Sequence, residues 1–501
     1  MPDTLKETIC NPEYNLWNKL IQENKKSLRD TALILSSKEK NSLRIQLLQN
    51  AYQYTKELNI TGQSCGLPLK DISPVQDETV VATGHQPEIY HCGILEKNVF
   101  LQQMVTEQAF TGINIIIDTD AGDGGLLYFP VKTKEGQVMI KTASLTARGL
   151  FMFQKLKSKN TISRLFGDVY QNLQGFNIKL PDKFQAASDY YQVFAGKSIV
   201  LANTLIRRYL EQTSFLEIPL SIICQIKEVQ AIFGYFFLHN QIFARSYNVL
   251  LQKFKSKNHL KNPAEPFPGL NIQQDRFETP FWVVDKTTKA RLPLYIKRNK
   301  NNFIFFNFRE KICELPGDQI HLYIKYLPEN YLIVPRAFMV SLLLRLFCCD
   351  FFIHGLGGCK YDSFTDEYMK QELKVTPPAF GCVSANRYLF SENISESYQK
   401  SNSDEYLRKI FYHPEKFFQE LDLNPKQQGV IEKLLQNKQS LLQNKTKLLA
   451  NNKKDFLKKL KNADGQIQQK ISEFLPAPIS IKTLQKTMEA LRWRKYPYFY
   501  C

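Results

Sequence analysis

No apolar run in this 501-residue chain is long enough to cross a bilayer. The most apolar stretch, AFMVSLLLRLFCCDFFIHG, is interrupted by Arg345 and Asp350, and neither side reaches the roughly 20 residues a spanning helix needs. It predicts a core helix leading into a core strand, and no membrane partner is expected. The opening MPDTLKETIC carries acidic residues with no apolar stretch behind them, so no secretory signal is expected. Ten cysteines are present but no Cys-x-x-Cys. Scattered thiols without a signal predict a reduced, cytoplasmic protein whose cysteines act mostly as small core residues. The absence of Gly-x-x-x-x-Gly-Lys-Ser/Thr excludes a P-loop, and the absence of Gly-x-Ser-x-Gly argues against a hydrolase triad. With no His-x-x-x-His on a helix and no Cys/His cluster, no metal site is expected.

What is present is positive charge, unevenly placed. The formal net charge is +18, and residues 425–501 hold 16 Lys/Arg against 5 Asp/Glu, a difference of +11. That segment contains LLQNKQS, LLQNKTK and LLANNKK in succession from Leu434 to Lys454, a seven-residue period. Seven is the coiled-coil period, but the second seam position holds Asn or Lys, which predicts a long helix packed on another helix such as GQIQQKISEFL. A basic arm of this kind can track a nucleic-acid backbone, serve as a homodimer contact, or simply present a solvated face.

Hydrophobic residues make up 43% of the chain, enough for a sizeable core. Residues 1–75 read as helices with apolar positions three and four apart. TVVATGH, a helix beginning near Ile94, and INIIIDTDAGDGG then give strand, helix and strand, which implies a parallel sheet. The expected fold is therefore α/β. Residues 76–145 form the first half of a core, 146–265 a helical insertion, 266–424 the second half with a β-meander, and 425–501 the basic helical arm.

Three turns carry the candidate chemistry. In parallel sheets the ligand crevice lies at the carboxyl ends of the strands. The first turn, TGHQPEIYHCG, offers Thr83, Gly84 and Gln86, imidazoles at His85 and His91, and Gly93 before a helix whose N-terminal amides can hold an anion. An unperturbed imidazole titrates near neutral pH, which makes His85 or His91 a candidate general acid or base. The second, DTDAGDGG, ends a strand with Asp118 and Asp120, able to hold an amine or ribose hydroxyl or to serve as a turn and cap. The third, HGLGGCKYD, places His354, Gly355, Gly357, Lys360 and Asp362 after a buried strand. It reads as a glycine loop whose amides and lysine suit phosphate or carboxylate. Arg336, in VPRA, is a candidate anion clamp.

HCGI at His91–Ile94 resembles the His-x-Gly-His signature of class I nucleotidyltransferases and aminoacyl-tRNA synthetases, with Ile94 in the fourth place. In architecture over most of its length, and in sequence over short motifs, the chain resembles the bacillithiol-biosynthesis cysteine-adding enzymes. Thr83, Gly84 and Gln86 match their Thr-Gly-Gln-Gln strand end, with His85 in place of the first Gln. The spacing from Gly93 to Lys97 is shorter than in that family, and Val334–Arg336 is similar to its Pro-Arg segment. TGHQP and HGLGGCKYD together resemble bacterial relatives of the group. The resemblance implies a Rossmann-like core, inserted helices and a C-terminal coiled coil. It also implies a ligase-type or transferase enzyme joining an amine and a carboxylate, with ATP or ADP as the expected nucleotide and a small molecule as substrate. Nucleic-acid binding or dimerisation through the arm is the alternative.

Overall fold

The computed structural model describes residues 6–29, 34–72, 79–133, 138–176, 180–262, 267–308, 310–387, 425–443, 453–474 and 495–500. Along the chain, β1 (Lys6–Asn11), α1 (Trp17–Arg29) and α2 (Ser37–Ser64) precede β2 (Val80–His85), α3 (Cys92–Gln108) and β3 (Thr111–Ile116). Short strands follow: β4 (Ala121–Gly122), β5 (Leu126–Lys132), β6 (Val138–Ser144) and β7 (Gly149–Leu150). Next come α4 (Lys159–Gln174), α5 (Asp182–Val193), α6 (Ile199–Glu211), β8 (Leu216–Pro219), α7 (Leu220–Ile223), α8 (Lys227–Leu238) and α9 (Asn240–Lys257). The second half holds β9 (Ile272–Gln273), β10 (Arg276–Asp285), β11 (Ala290–Asn299), β12 (Asn302–Phe306), β13 (Lys311–Pro316), β14 (Tyr331–Pro335), α10 (Ala337–Leu343), β15 (Phe351–Gly355), α11 (Leu356–Gln371) and β16 (Phe380–Arg387). Two helices, α12 (Pro425–Gln443) and α13 (Lys453–Phe474), complete the order.

The main sheet has the order β1-β16-β15-β2-β3-β8. All its pairings are parallel except β1 with β16. Strands buried on both faces read as continuous apolar runs, which is why TVVATGH and INIII stand out in the sequence. Val81 and Ile353 face Trp17, Ile21, Phe100, Leu101 and Met104 of α1 and α3. Val80, Ala82, Ile113 and Ile115 face the larger core shared with α2, α8 and α9. From β2 the chain moves to β3 on one side, while β15 and β16 lie on the other, so the strand order reverses between β2 and β15. Such a reversal leaves a crevice, because the two neighbouring crossovers leave in opposite directions.

The meander is a separate antiparallel sheet of order β13-β12-β11-β10-β14. Tyr331–Pro335, the strand just before Arg336, closes this sheet by pairing antiparallel with β10. The helical insertion differs from expectation, since it carries β8 into the main sheet beside β3. HGLGG is not a loop: α11 starts at Leu356, directly after β15. The expectation that all thiols are free is corrected as well. Cys359 on α11 is disulfide-bonded to Cys382 on β16, across 6.1 Å between Cα atoms. Neighbouring parallel β15 and β16 place His354 opposite Cys382, which brings the first turn of α11 within reach of that strand.

In the basic segment α12 packs on α13, with Ile431, Phe456 and Ile467 buried and Lys438 paired to Asp464 at 3.0 Å. Residues 444–452 of the heptad repeat lie outside the described residues. Residues 495–500 are not part of that pair of helices. Tyr498 donates its N–H to the Tyr90 carbonyl at 2.9 Å, and Phe499 and Tyr500 are buried beside Phe166 and Phe184 of α4 and α5. No helix among the described residues is long and apolar enough to cross a membrane.

Candidate functional site

A cavity of about 830 Å³ opens at the strand-order reversal. Its floor is the carboxyl edge of the main sheet: Gly84, His85 and Gln86 at the end of β2, Asp120 after β3, and His354 to Gly358 where β15 passes into α11. Trp282, Arg291 and Pro335 of the antiparallel sheet form the facing wall, with Phe267, Phe338 and Tyr361 beside them. One side is therefore polar, and the other is largely aromatic with Arg291 and Arg336 set among the rings, so a few placed polar groups sit in an apolar surround as in many small-molecule sites.

The turn after β2 is held by its own side chains. His91 is the N-cap of α3, and its Nδ1 accepts the Gly93 N–H at 3.1 Å. His85 Nδ1 donates to the Gln86 carbonyl at 3.1 Å, which leaves Nε2 as the acceptor nitrogen. Desolvation, followed by the positive charge of Lys97, pushes the His85 imidazole well below its ordinary range and keeps it neutral near pH 7. Thr83 does not reach the cavity. Its hydroxyl donates to the Ile353 carbonyl at 2.8 Å, tying β2 to β15.

The two aspartates of DTD part company. Asp120 lines the cavity and accepts from Gln86 Nε2 at 2.8 Å and Arg291 Nη1 at 2.7 Å. Asp118 lies behind it, buried, taking the Ser221 N–H at 3.0 Å and the Ser221 hydroxyl at 2.5 Å. Burial raises the Asp118 carboxyl to about 6, with the Ser221 bonds opposing. Its position is that of a tether between β3 and α7.

His354 lines the cavity, and behind it Asp362 stands 2.7 Å from His354 Nε2 and 2.7 Å from Arg345 Nη1. Burial opposes ionisation of Asp362, but the His354 and Arg345 charges prevail and hold its carboxyl well below the usual range. Gly358 is required there, because a Cβ at that position would stand 2.8 Å from His354 Nδ1. Gly355 and Gly357 line the cavity at the α11 N-terminus, which carries no side-chain cap. Lys360 is exposed and outside the lining, since a lysine one helical turn past the start of α11 points to solvent. Arg336 stacks on the Trp282 ring at 3.8 Å and donates to Glu278 at 2.5 Å, while Arg291 covers the same ring at 4.8 Å.

Of the residues named from sequence, the cavity thus gathers Gly84, His85, Gln86, His91, Gly93, Asp120, Arg336, His354, Gly355 and Gly357. Thr83, Asp118, Lys360 and Asp362 stand outside it. Trp282, Arg291 and Lys495 were not anticipated, nor was Lys97 as a lining residue. Lys97 had a legible signal. It falls three residues after Ile94 and four before Leu101, on the buried stripe of α3, where a lysine is out of place. Its Nζ donates to the Gly84 carbonyl at 2.6 Å, and the residue is 4% exposed. Burial, then the Arg207 charge, lowers its ammonium to about 7.

Among the described residues no group of three His, Cys, Asp or Glu side chains could hold a metal ion. Compared with family models, curated proteins and solved structures, the chain matches none.

Proposed function

We propose that this protein is an enzyme of ligase or transferase type that joins an amine to a carboxylate, working at the cavity between β2 and β15. The observation that carries the reading is convergence. Turns separated by about 270 residues in sequence bring His85, Gln86, His354 and the glycines of α11 to one wall, facing Arg336 and Arg291. In this reading the parallel sheet serves as a Rossmann-like core, and ATP activates the carboxylate as a mixed anhydride, from which phosphate or AMP leaves as the bond to the amine forms. Phosphate or carboxylate oxygens lie against the uncapped amides of α11, where the helix dipole favours negative charge. Arg336 and Arg291 neutralise charge developing on the acyl oxygens, the kind of preorganised stabilisation that accelerates acyl transfer. His85, neutral and with Nε2 as acceptor, takes a proton from the attacking amine. The apolar wall around Trp282 and Phe338 fits the body of the acyl substrate. The resemblance to the cysteine-adding enzymes supports the reaction class.

The test is isothermal calorimetry with ATP and ADP, alone and with short amino acids and hydroxy acids. Nucleotide binding by the wild type, weakened at least tenfold in His85→Ala, is the expected outcome. Absence of any nucleotide heat, or unchanged affinity in His85→Ala, overturns it.

A further inference from the structure

Three nitrogen bases of the cavity, Arg291, Arg336 and His354, each stand beside a carboxylate, and Lys97 does not. Arg291 has Asp120 at 2.7 Å, Arg336 has Glu278 at 2.5 Å, and His354 has Asp362 at 2.7 Å. Arg207, the charge on α6 that acts on Lys97, is committed to Glu217 at 2.6 Å. Among the described residues no carboxylate stands within 4.0 Å of Lys97 Nζ. Its partner is a neutral carbonyl, that of Gly84. His85 on β2, on which the charge of Lys97 acts, is a base and gives it no counter-charge. A buried ammonium without a counter-ion is costly, and proteins keep one where a ligand completes the pair. The stem of Lys97 passes 3.8 Å from the place a Cβ would occupy on Gly355, so the amine lies between the ends of β2 and β15, beside the α11 N-terminus.

We propose that Lys97 is the anchoring cation of this site: an oxyanion of the ligand, carboxylate or phosphate, takes the place beside its Nζ that no carboxylate of the protein fills. The inference rests on the reading of the cavity as the substrate site, and it names the residue and ligand group that meet there. Because burial keeps the empty site's amine largely uncharged above pH 7, anion binding draws a proton onto Lys97.

The experiment is calorimetry at pH 8 in two buffers of different ionisation enthalpy, with sulfate standing for phosphate and butyrate for carboxylate. Both probes are fully ionised at that pH, so proton uptake comes from the protein. Wild type is expected to take up close to one proton per bound anion. Lys97→Arg, always charged, is expected to bind with no uptake, and Lys97→Met to bind at least tenfold more weakly. The probe bound more tightly assigns the ligand's oxyanion. Binding without uptake in the wild type, equal uptake in Lys97→Arg, or no binding of either probe overturns the role of Lys97. ATP binding that persists alongside any of these results leaves the proposed function standing, and loss of ATP binding alone removes that reading and spares the anion site.

Discussion

Replacing Lys97 by Met tests the electrostatics of the site without a ligand. The side chains are similar in length, and Met removes the charge. Lowering the ammonium from an ordinary 10.5 to about 7 means that protonating Lys97 in the folded protein is disfavoured by roughly 5 kcal/mol. A base whose folded pKa lies below its unfolded value binds fewer protons folded than unfolded, so its presence destabilises the fold most at and below pH 7. The penalty fades as pH rises towards 10.5. Relative to Lys97→Met, the wild type is therefore expected to recover about 3–4 kcal/mol between pH 7 and pH 10. Loss of the bond to the Gly84 carbonyl subtracts about 1–2 kcal/mol from the mutant at every pH and leaves the slope untouched. Urea unfolding of both proteins at pH 6, 7, 8.5 and 10 reads the difference directly. A difference constant to within about 1 kcal/mol from pH 7 to pH 10 would show that Lys97 keeps an ordinary ammonium, and the reasoning fails.

Three further outcomes are expected. Arg345→Met leaves Asp362 and Asp366 without their shared guanidinium and costs about 3–5 kcal/mol in urea unfolding at pH 7. Asp118→Asn stabilises the fold by up to about 3 kcal/mol at pH 7 and not at all below pH 3.8, because the raised carboxyl makes ionisation costly as pH climbs through 4 to 6; chemical denaturation at pH 3.5 and 7 checks the sign. In denaturant without reductant, Cys359 and Cys382 are expected to resist a thiol reagent while the other seven cysteines of the described residues react, and both become reactive after reduction, which peptide mapping of the label reads.

The elements legible in the sequence were those whose pattern is local. Parallel strands buried on both faces make β2 and β3 obvious, and the three- and four-residue spacing of apolar residues reveals α2 and α3. Pairing partners are not local. Nothing in YLIVP distinguishes a strand joining the main sheet from one closing the meander, and nothing in LEIP announces β8 inside a run of helices. HGLGG misleads for a physical reason: glycine is a poor helix former, but here the backbone must pass close to the His354 ring, and that demand overrides propensity. The carboxyl-edge rule placed His85, Asp120 and His354 on one edge. The same rule could not separate Asp118, which the alternation of side chains turns toward Ser221. The opposite wall was invisible, because Trp282 and Arg291 belong to a sheet whose position over the edge no local pattern encodes.

Trp282, with two guanidinium groups against its ring, has a practical consequence. An indole's emission responds to the charge and polarity next to its ring. Any ligand that draws Arg336 or Arg291 away, or slides against the free part of the indole, changes the colour and yield of that light. The protein thus carries a built-in optical gauge of occupancy. The wild-type spectrum minus that of Trp282→Phe would allow a collection of unlabelled metabolites to be screened before any product has been identified.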